Sequence, residues 1–311
     1  MSPFISFAQN YEDVILWRAL KHIENGFFVD CGAYDPTRHS VTKAFYDRGW
    51  NGINIEPIRS LAEKFANQRP LDINLNIALS DNSDGANFYE IVDTGLSTLS
   101  EEIAHRHVEA GFIAKCIKVQ TATLSKVLEQ FSRDTIHFLK IDVEGAEKLV
   151  LDGLDLQKFR PWIILVEATK PASGEPNHQE WEPELLSRGY DFVYFDGLNR
   201  FYVSDSHSEL CSSLALPPNI FDNFVQIERL DDIARAQGEL AALKNSTSWR
   251  LTAPLREGKQ VFQKLHDNLR LIDLAKQFHF WSTRPADPPV HRKLPEQSGA
   301  NSANSLTTSA L

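Results

Sequence analysis

From residue 26 onward, short apolar runs alternate with longer segments whose apolar residues recur at helical spacing. The runs that predict strands lie at 27–29, 52–57, 73–79, 137–143 and 162–166. The helical patterns lie at 41–50, 58–68, 123–131, 146–151 and 181–188. Two last runs, 191–195 and 200–203, predict an antiparallel hairpin at the edge of the sheet. Because the strands are apolar throughout, the pattern predicts an α/β fold with a mainly parallel sheet covered by helices on both faces.

The chain is predicted to consist of one domain and three further segments. The domain covers 1–205 and includes strand-like runs at 86–92 and 116–119 around a polar, irregular stretch. The further segments are an irregular extension at 206–228, a basic amphipathic helical region at 229–280 and a tail at 281–311. Pro254 is expected to break the helical region, and the tail is expected to be disordered because it has almost nothing to bury.

Composition excludes several protein classes. Hydrophobic residues are 42% and aromatic residues 10% of the 311 residues, which is enough for a packed core. No stretch approaches the roughly 18 apolar residues of a membrane span. The amino terminus carries Glu12 and Asp13 and lacks a basic segment, so no signal peptide is predicted. The widely spaced Cys31, Cys116 and Cys211 predict reduced thiols in a cytoplasmic protein.

Charge is distributed unevenly along the chain. Residues 1–243 carry 22 basic and 37 acidic side chains, a balance of −15, and residues 244–311 carry 10 and 5, a balance of +5. Nucleic-acid binding requires clustered cations that neutralise phosphates. The acidic body therefore argues against a nucleic-acid partner, and the basic tail is predicted to have a separate role.

Polar residues close the first predicted strands, at the edge where an open α/β sheet binds its ligands. Asp30 and Asp35 flank Gly32, and two carboxylates would repel a pyrophosphate but suit a ligand with ammonium and sulfonium groups. Gly32 allows the backbone to approach a ligand closely, and a tight turn with a helix cap is the alternative. The missing glycines of a dinucleotide fingerprint disfavour a nicotinamide dehydrogenase. Glu56 is placed to accept both hydroxyls of a ribose, so these residues together predict a nucleoside site.

Three carboxylates follow the later strands. Asp142 and Glu144 close the fourth strand and Glu167 ends the fifth, which places them on one rim. They are candidates for a general base, for a divalent-metal site, or for orienting substrate hydroxyls. Capping of the following helix is the alternative for Asp142 or Glu144. His178 is a further candidate base, or else an ordinary surface histidine, whereas a histidine at 137 opens its strand and is expected to be structural.

At these residues the sequence resembles the FkbM-type family of S-adenosylmethionine-dependent methyltransferases. The matching stretches are SFAQNYEDVIL at 6–16, FFVDCGAYDP at 27–36, GINIEP at 52–57, NIALSD at 76–81 and FLKIDVEGAE at 138–147. The resemblance implies a class I methyltransferase fold of seven strands, with the final strand antiparallel, and O-methylation of sugars or secondary metabolites. The loop after the first strand is poorer in glycine than in many methyltransferases.

The resemblance also implies roles for individual residues. Asp30 and Gly32 would hold the methionine moiety, Glu56 the ribose, and Ala78-Leu79 the adenine. The cofactor-binding residues so implied are Asp30, Gly32, Ala33, Tyr34, Asp35, Glu56, Pro57, Ala78 and Leu79. The candidate catalytic residues are Asp142, Glu144, Glu167 and His178, with Asp142 at a position where such enzymes place a catalytic or metal-binding acid. No metal ligands are assigned, and participation of a divalent metal stays open.

The segment 245–256 resembles a stretch found in bacterial glycosyltransferases and other surface-polysaccharide proteins, which favours a glycan or glycolipid substrate. The basic amphipathic region 244–280 is expected to contact either the inner face of the membrane or a glycosyltransferase, or else to pack on the body or on a second subunit. The predicted function is O-methylation of a sugar hydroxyl by a cytoplasmic enzyme. The rivals are a methyltransferase of small natural products and a non-catalytic scaffold of a polysaccharide assembly complex. The three acids Asp30, Glu56 and Asp142 argue against the scaffold.

Overall fold

The computed structural model describes residues 3–256, 259 and 263. The strands, numbered β1 to β13, are Phe4–Ser6, Phe27–Cys31, Asn51–Ile55, Ile73–Leu75, Ala78–Leu79, Ala86–Ile91, Ala114–Val119, Thr121–Ala122, Phe138–Ile141, Ile163–Glu167, Tyr190–Phe195, Asn199–Ser204 and Phe224–Gln226. The α-helices, numbered α1 to α10, are Glu12–Leu20, Lys43–Tyr46, Arg59–Gln68, Glu101–Glu109, Leu124–Phe131, Glu147–Asp152, Glu182–Ser187, Cys211–Leu214, Ile227–Asn245 and Thr247–Leu251. Short 3₁₀ segments lie at His178–Glu180, Asp205–Leu210 and Ile220–Asp222.

The central sheet contains seven strands in the order β11-β12-β10-β9-β2-β3-β4. The five strands from β10 to β4 pair in parallel. The final hairpin joins the sheet through β12, which is antiparallel to both β10 and β11. The sheet is therefore mixed, and the predicted α/β class is confirmed.

Helices pack on both faces of this sheet because successive side chains of a strand point to opposite sides. Val29, Leu139 and Ile164 belong to a buried cluster that includes residues of α5, α6 and α7. Phe28 and Phe138, from the same strands, belong to a second cluster that includes residues of α1, α2 and α8. This double coverage explains why the strands are apolar at every position.

The predicted third strand, 73–79, is wrong in its extent. The amide of Asn76 donates to the carbonyls of Glu56 and Pro57, at 3.0 and 2.8 Å, and holds the chain at the end of β3. Only Ile73–Leu75 remains in the central sheet, and Ala78–Leu79 turns away to pair with β8. As a result, Ala78 and Leu79 lie near the carboxyl ends of the central strands.

The polar stretch between the predicted strands at 86–92 and 116–119 contains a helix, α4, that the sequence interpretation did not assign. Ser100 caps it by accepting a hydrogen bond from the backbone N–H of Ile103 at 3.3 Å. Two glutamates in the first turn, at 101 and 102, favour the helix start electrostatically. The antiparallel pair β6–β7 and α4 together form an insertion between β5 and β8.

The residues between β12 and α9 form short elements. Strand β13 pairs in parallel with β1, and Arg18 of α1 contacts Asp222 through two hydrogen bonds of 2.7 Å. These contacts lie within one compact unit, Met1–Arg235, and a second unit begins at Ala236. None of the helices in the described part of the chain is long and apolar enough to cross a membrane.

In the second unit, helical structure is interrupted at Ser246 and Thr252, ahead of Pro254. Ser246 accepts a hydrogen bond from the backbone N–H of Trp249 at 3.2 Å and so starts α10. Pro254 lies near the beginning of the next helical residues, 253–256, where a missing N–H is tolerated. The rest of the predicted basic helical region, and the predicted disorder of 281–311, lie outside the described residues.

Candidate functional site

A cavity of about 800 Å³ lies at the carboxyl ends of the parallel strands. The predicted site residues that line it are Asp30, Gly32, Ala33, Tyr34, Glu56, Pro57, Ala78, Leu79, Asp142, Glu144 and Glu167. Strands that are distant in sequence end side by side in a parallel sheet, so their closing residues meet. The volume of the cavity is within the range of pockets that hold small molecules and cofactors.

Gly32 joins two of the loops that form this cavity. Its φ is +79°, and a Cβ atom built on it would lie 1.8 Å from the carbonyl oxygen of Asp142. The backbone N–H groups of Gly32 and Ala33 both donate to the carbonyl of Ile55, each at 3.1 Å. Glycine is thus required because the loops after β2 and β9 touch. The predicted close approach of this backbone to a ligand stays a prediction.

Glu56 is buried at the end of β3, with 5% of its surface exposed, and lines the cavity. One carboxylate oxygen accepts the N–H of Tyr34 at 2.9 Å, and the other accepts the N–H of Ile58 at 2.8 Å. Burial raises the pKa of Glu56 to about 7. Since a carboxylate oxygen can accept two hydrogen bonds, each retains capacity for a ligand hydroxyl.

Asp30 is paired with a lysine that the sequence interpretation passed over. Asp30 and Lys140 are cross-strand neighbours on β2 and β9, and Lys140 Nζ lies 3.3 Å from Asp30 and 3.2 Å from Asp142. Lys140 also donates to the carbonyl of Gly32 at 3.2 Å. Burial lowers the pKa of Lys140, but the carboxylates of Asp142 and Asp30 outweigh burial and hold it above its ordinary value. The charged ammonium of Lys140 therefore pairs with both Asp30 and Asp142.

Asp142, Glu144 and Glu167 come together as predicted, each with a carboxylate oxygen within 4.8 Å of the others. Burial, together with the charge of Asp142, raises the pKa of both Glu144 and Glu167. The Oε2 atoms of Glu144 and Glu167 are buried and have no hydrogen-bond partner in the described part of the chain. Such oxygens require a proton, a cation or a ligand donor.

Glu147, which the sequence interpretation did not single out, shapes the loop that presents these acids. Its carboxylate accepts the N–H groups of Val143 and Gly145, at 3.3 and 3.0 Å. This folds the backbone so that Glu144 has a left-handed φ of 53°. Burial raises the pKa of Glu147 to about 7. Helix α6 begins without a side-chain cap, so the alternative of capping by Asp142 or Glu144 is not what the structure shows.

Two predicted residues lie outside the cavity lining. Asp35 accepts the N–H groups of Thr37 and Arg38, at 2.9 and 3.0 Å, and therefore stabilises a local turn. His178 lies beside α7, with Nε2 3.8 Å from Glu182. The loop after β10 doubles back through a bridge between residues 169 and 176, which sends residues 172–174 to the cavity and His178 away from it.

Part of the remaining cavity wall comes from residues that the sequence interpretation did not assign to the site. Loop residues 93–97 of the insertion line it, and Thr98 donates to the carbonyl of Glu144 at 2.7 Å. Gln9 lines the cavity from the amino-terminal segment, which Asp13 holds by accepting the N–H groups of Phe7 and Ala8. Several non-glycine residues of the lining have a left-handed φ, namely Tyr34, His39, Asp93, Glu144 and Ala172. Backbone strain of this kind concentrates at functional sites.

A sequence-family model and a solved structure are similar to this chain. The sequence model described as "Methyltransferase FkbM domain" matches residues 30–192, from the end of β2 into β11 and just over half of the chain. The solved structure of methyltransferase FkbM from Methylobacillus flagellatus KT has a TM-score of 0.37 and 13% identity, and the match covers 58% of this chain and 43% of that chain. The chain thus spans less than half the length of that protein. No curated protein matches the sequence. On the family match over residues 30–192, the chain belongs to the FkbM methyltransferase family.

Proposed function

We propose that this chain is an S-adenosylmethionine-dependent O-methyltransferase that acts on a sugar hydroxyl of a bacterial surface glycan or its precursor. The observation that carries the proposal is that one cavity holds both a buried carboxylate suited to a ribose and a cluster of acids suited to a hydroxyl acceptor. The family supports methyl transfer. The strand order, with a final antiparallel hairpin, is the order expected of a class I methyltransferase.

The residues present fit the cofactor. Glu56 has hydrogen-bonding capacity for the ribose hydroxyls, and Asp30 supplies a carboxylate near the position proposed for the methionine moiety. Ala78 and Leu79 give the cavity an apolar wall on the adenine side. When bound, the cofactor would supply a methyl group on a positively charged sulfur. The chain's own contribution is then to position the acceptor and to receive its proton.

Asp142 is the first candidate for the proton acceptor. Its side chain is 34% exposed, so an acceptor hydroxyl can reach it from the cavity. Its carboxylate lies 3.2 Å from Lys140 Nζ, an ion pair that holds it in place. The polar residues Asp93, Thr94 and Ser97, which also line the cavity, suit an acceptor with many hydroxyls.

Methyl transfer to defined acceptors tests this function. Radiolabelled S-adenosylmethionine would be incubated with nucleotide-linked sugars, lipid-linked glycans and, separately, small hydroxylated natural products. We expect label in the sugar fractions, reduced about 10²-fold by Asp142→Asn, as for loss of a general base. Asp152→Asn, on the exposed side of α6, is the matched control. Label confined to the natural products would contradict the glycan substrate, and unchanged turnover in Asp142→Asn would remove it as the base.

The proposal also includes a cytoplasmic location, with a membrane or glycosyltransferase contact through the basic residues 244–280. The support is the charge of the segment and its resemblance to stretches of surface-polysaccharide proteins. Binding to vesicles with and without anionic lipid, compared between the full chain and one ending at residue 243, tests the membrane contact. Equal binding by the two chains would contradict it.

A further inference from the structure

The loop after β2 places basic side chains at the edge of a cavity whose other charged residues are mostly acids. The basic residues among those that line the cavity are Arg38, His39 and Lys140. Lys140 is engaged within the protein, because its Nζ lies 3.3 Å from Asp30 and 3.2 Å from Asp142. Arg38 and His39 are therefore the basic groups of the lining that a ligand can use.

A buried arginine fixes both ends of the segment that carries Arg38 and His39. Arg69 is fully buried, and its guanidinium donates to the carbonyl of Pro36 and, at 2.7 Å, to the hydroxyl of Ser40. Between these two points, Asp35 accepts the backbone N–H of Arg38 at 3.0 Å. The loop is thus held in one conformation by contacts that do not involve the side chain of Arg38.

The backbone of this loop is strained at a residue whose side chain does not pack in the core. His39 has a left-handed φ of 54°, which is uncommon for a residue other than glycine. The side chains of both Arg38 and His39 are exposed, so burial does not explain the conformation. Strained residues that their surroundings hold in place concentrate at sites that bind ligands.

The guanidinium of Arg38 has no acidic partner within the described residues. Asp35, the acid closest to it in sequence, forms its ion pair with Lys64, at 3.4 Å. The hydrogen bond that Arg38 does form is made by its backbone N–H. A guanidinium presents several N–H donors in a planar fork that matches the oxygens of a phosphate or a carboxylate. Arg38 is therefore available to bind an anionic group.

Burial indicates which part of the bound molecules carries that group. Asp30 and Glu56, the residues proposed to hold the cofactor, are only 1% and 5% exposed, whereas Arg38 is exposed where the cavity meets solvent. The acceptor hydroxyl is proposed to reach Asp142, and the acids around it would repel an anion. An anionic group of the acceptor is therefore favoured at the opening of the cavity, beside Arg38.

We propose that Arg38, with His39 beside it, binds a phosphate or diphosphate group of the sugar acceptor at the opening of the cavity. The inference rests on the proposed function and narrows its substrate class to sugars that carry such a group. Nucleotide-linked and lipid-linked sugars both contain a diphosphate, and the methyl-transfer assay with the two kinds of acceptor distinguishes them. A neutral free sugar should be a poor acceptor.

Calorimetric titration of the full chain with inorganic pyrophosphate, in the presence of saturating S-adenosylhomocysteine, tests this subsite. We expect binding by the wild type and at least about tenfold weaker binding by Arg38→Gln, the loss expected when a charge-assisted contact is removed. Arg235→Gln, at an exposed arginine that does not line the cavity, is the matched control and should bind as the wild type does. Urea-induced unfolding of the three proteins should agree, because the side chain of Arg38 is exposed.

Other outcomes overturn a specific statement. No pyrophosphate binding by a folded wild type that binds S-adenosylhomocysteine, or equal binding by Arg38→Gln, contradicts the subsite. Weaker S-adenosylhomocysteine binding in Arg38→Gln, with unchanged binding of methylthioadenosine, which lacks the carboxylate, would assign Arg38 to the cofactor and also contradict it. Failure of the wild type to bind S-adenosylhomocysteine contradicts the proposed function instead. Pyrophosphate titration without the cofactor product then still decides whether Arg38 binds an anion.

Discussion

Replacement of Gly32 by alanine tests whether contact between the loops after β2 and β9 forms the cofactor side of the cavity. Gly32 has a φ of +79°, and an added Cβ would lie 1.8 Å from the carbonyl oxygen of Asp142. Gly111 is a matched control, because its φ is +95° and an added Cβ would have no atom within 4 Å. The two substitutions therefore share the backbone strain and differ in the steric clash.

The expected magnitudes follow from these distances. A left-handed φ costs a non-glycine residue about 1–2 kcal/mol, which is the whole expected loss for Gly111→Ala. In Gly32→Ala, the Cβ and the Asp142 oxygen must also move apart by about 1.2 Å to reach the 3.0 Å below which real Cβ contacts are essentially never seen. Misplacement of about 1 Å at a reacting centre costs about 10²-fold in rate. Gly32→Ala should therefore impair both stability and the site.

Urea-induced unfolding and calorimetric titration with S-adenosylhomocysteine measure the two effects separately. We expect Gly32→Ala to lose more unfolding free energy than Gly111→Ala and to bind the ligand at least about tenfold more weakly, whereas Gly111→Ala binds normally. Equal stability of the two variants, together with wild-type affinity in Gly32→Ala, would refute the statement that loop contact builds the site.

Other expectations concern buried charges. Lys140→Met should lower the free energy of unfolding by about 3–5 kcal/mol, because it leaves Asp30 buried without its cation; Lys148→Met, at an exposed pair, should change it by less than about 1 kcal/mol. Denaturation curves check both, and equal effects would contradict the first. Burial raises the pKa of Glu12 to about 7 and that of Asp13 to about 6. The folded chain therefore retains protons that the unfolded chain releases above about pH 4, and its stability should fall by at least about 2 kcal/mol between pH 5 and pH 8. Glu12→Gln should flatten this dependence, and a stability that rises over the interval would contradict the reasoning.

The acids of the site were predictable from sequence because topology alone brings them together. Asp30, Glu56, Asp142 and Glu167 each close a buried apolar run, and parallel strands end at one edge of a sheet. Lys140 carried a signal that went unused, namely a charged residue inside a buried strand, which requires a buried partner. The identity of that partner depends on the register between β2 and β9, which brings together residues 110 positions apart.

Other parts of the site could not be predicted, for physical reasons. Glycine at position 32 is typical of a backbone with a positive φ. The atom that leaves no room for a side chain there, the carbonyl oxygen of Asp142, belongs to the loop after β9. His178 follows the fifth strand as a candidate base, but the preceding loop, closed by a bridge between residues 169 and 176, leaves it outside the cavity lining. Next to the wall residues 93–97, Thr98 bonds to the distant Glu144, and next to Gln9 the backbone of Phe7 bonds to Asp13; such bonds leave no periodic pattern in the sequence.

The central claim is that the cavity binds S-adenosylmethionine with Glu56 at the ribose. Calorimetric titration of the wild type with S-adenosylhomocysteine tests it most directly, with Glu56→Ala as the variant and Glu63→Ala as the control. We predict micromolar binding, about −8 kcal/mol, by the wild type and the control, and loss of binding in Glu56→Ala. A cofactor analogue that lacks the ribose hydroxyls should bind the wild type weakly. Its affinity should be the same for the wild type and for Glu56→Ala. Absence of binding by a folded wild type, or equal affinity in Glu56→Ala, would contradict the account.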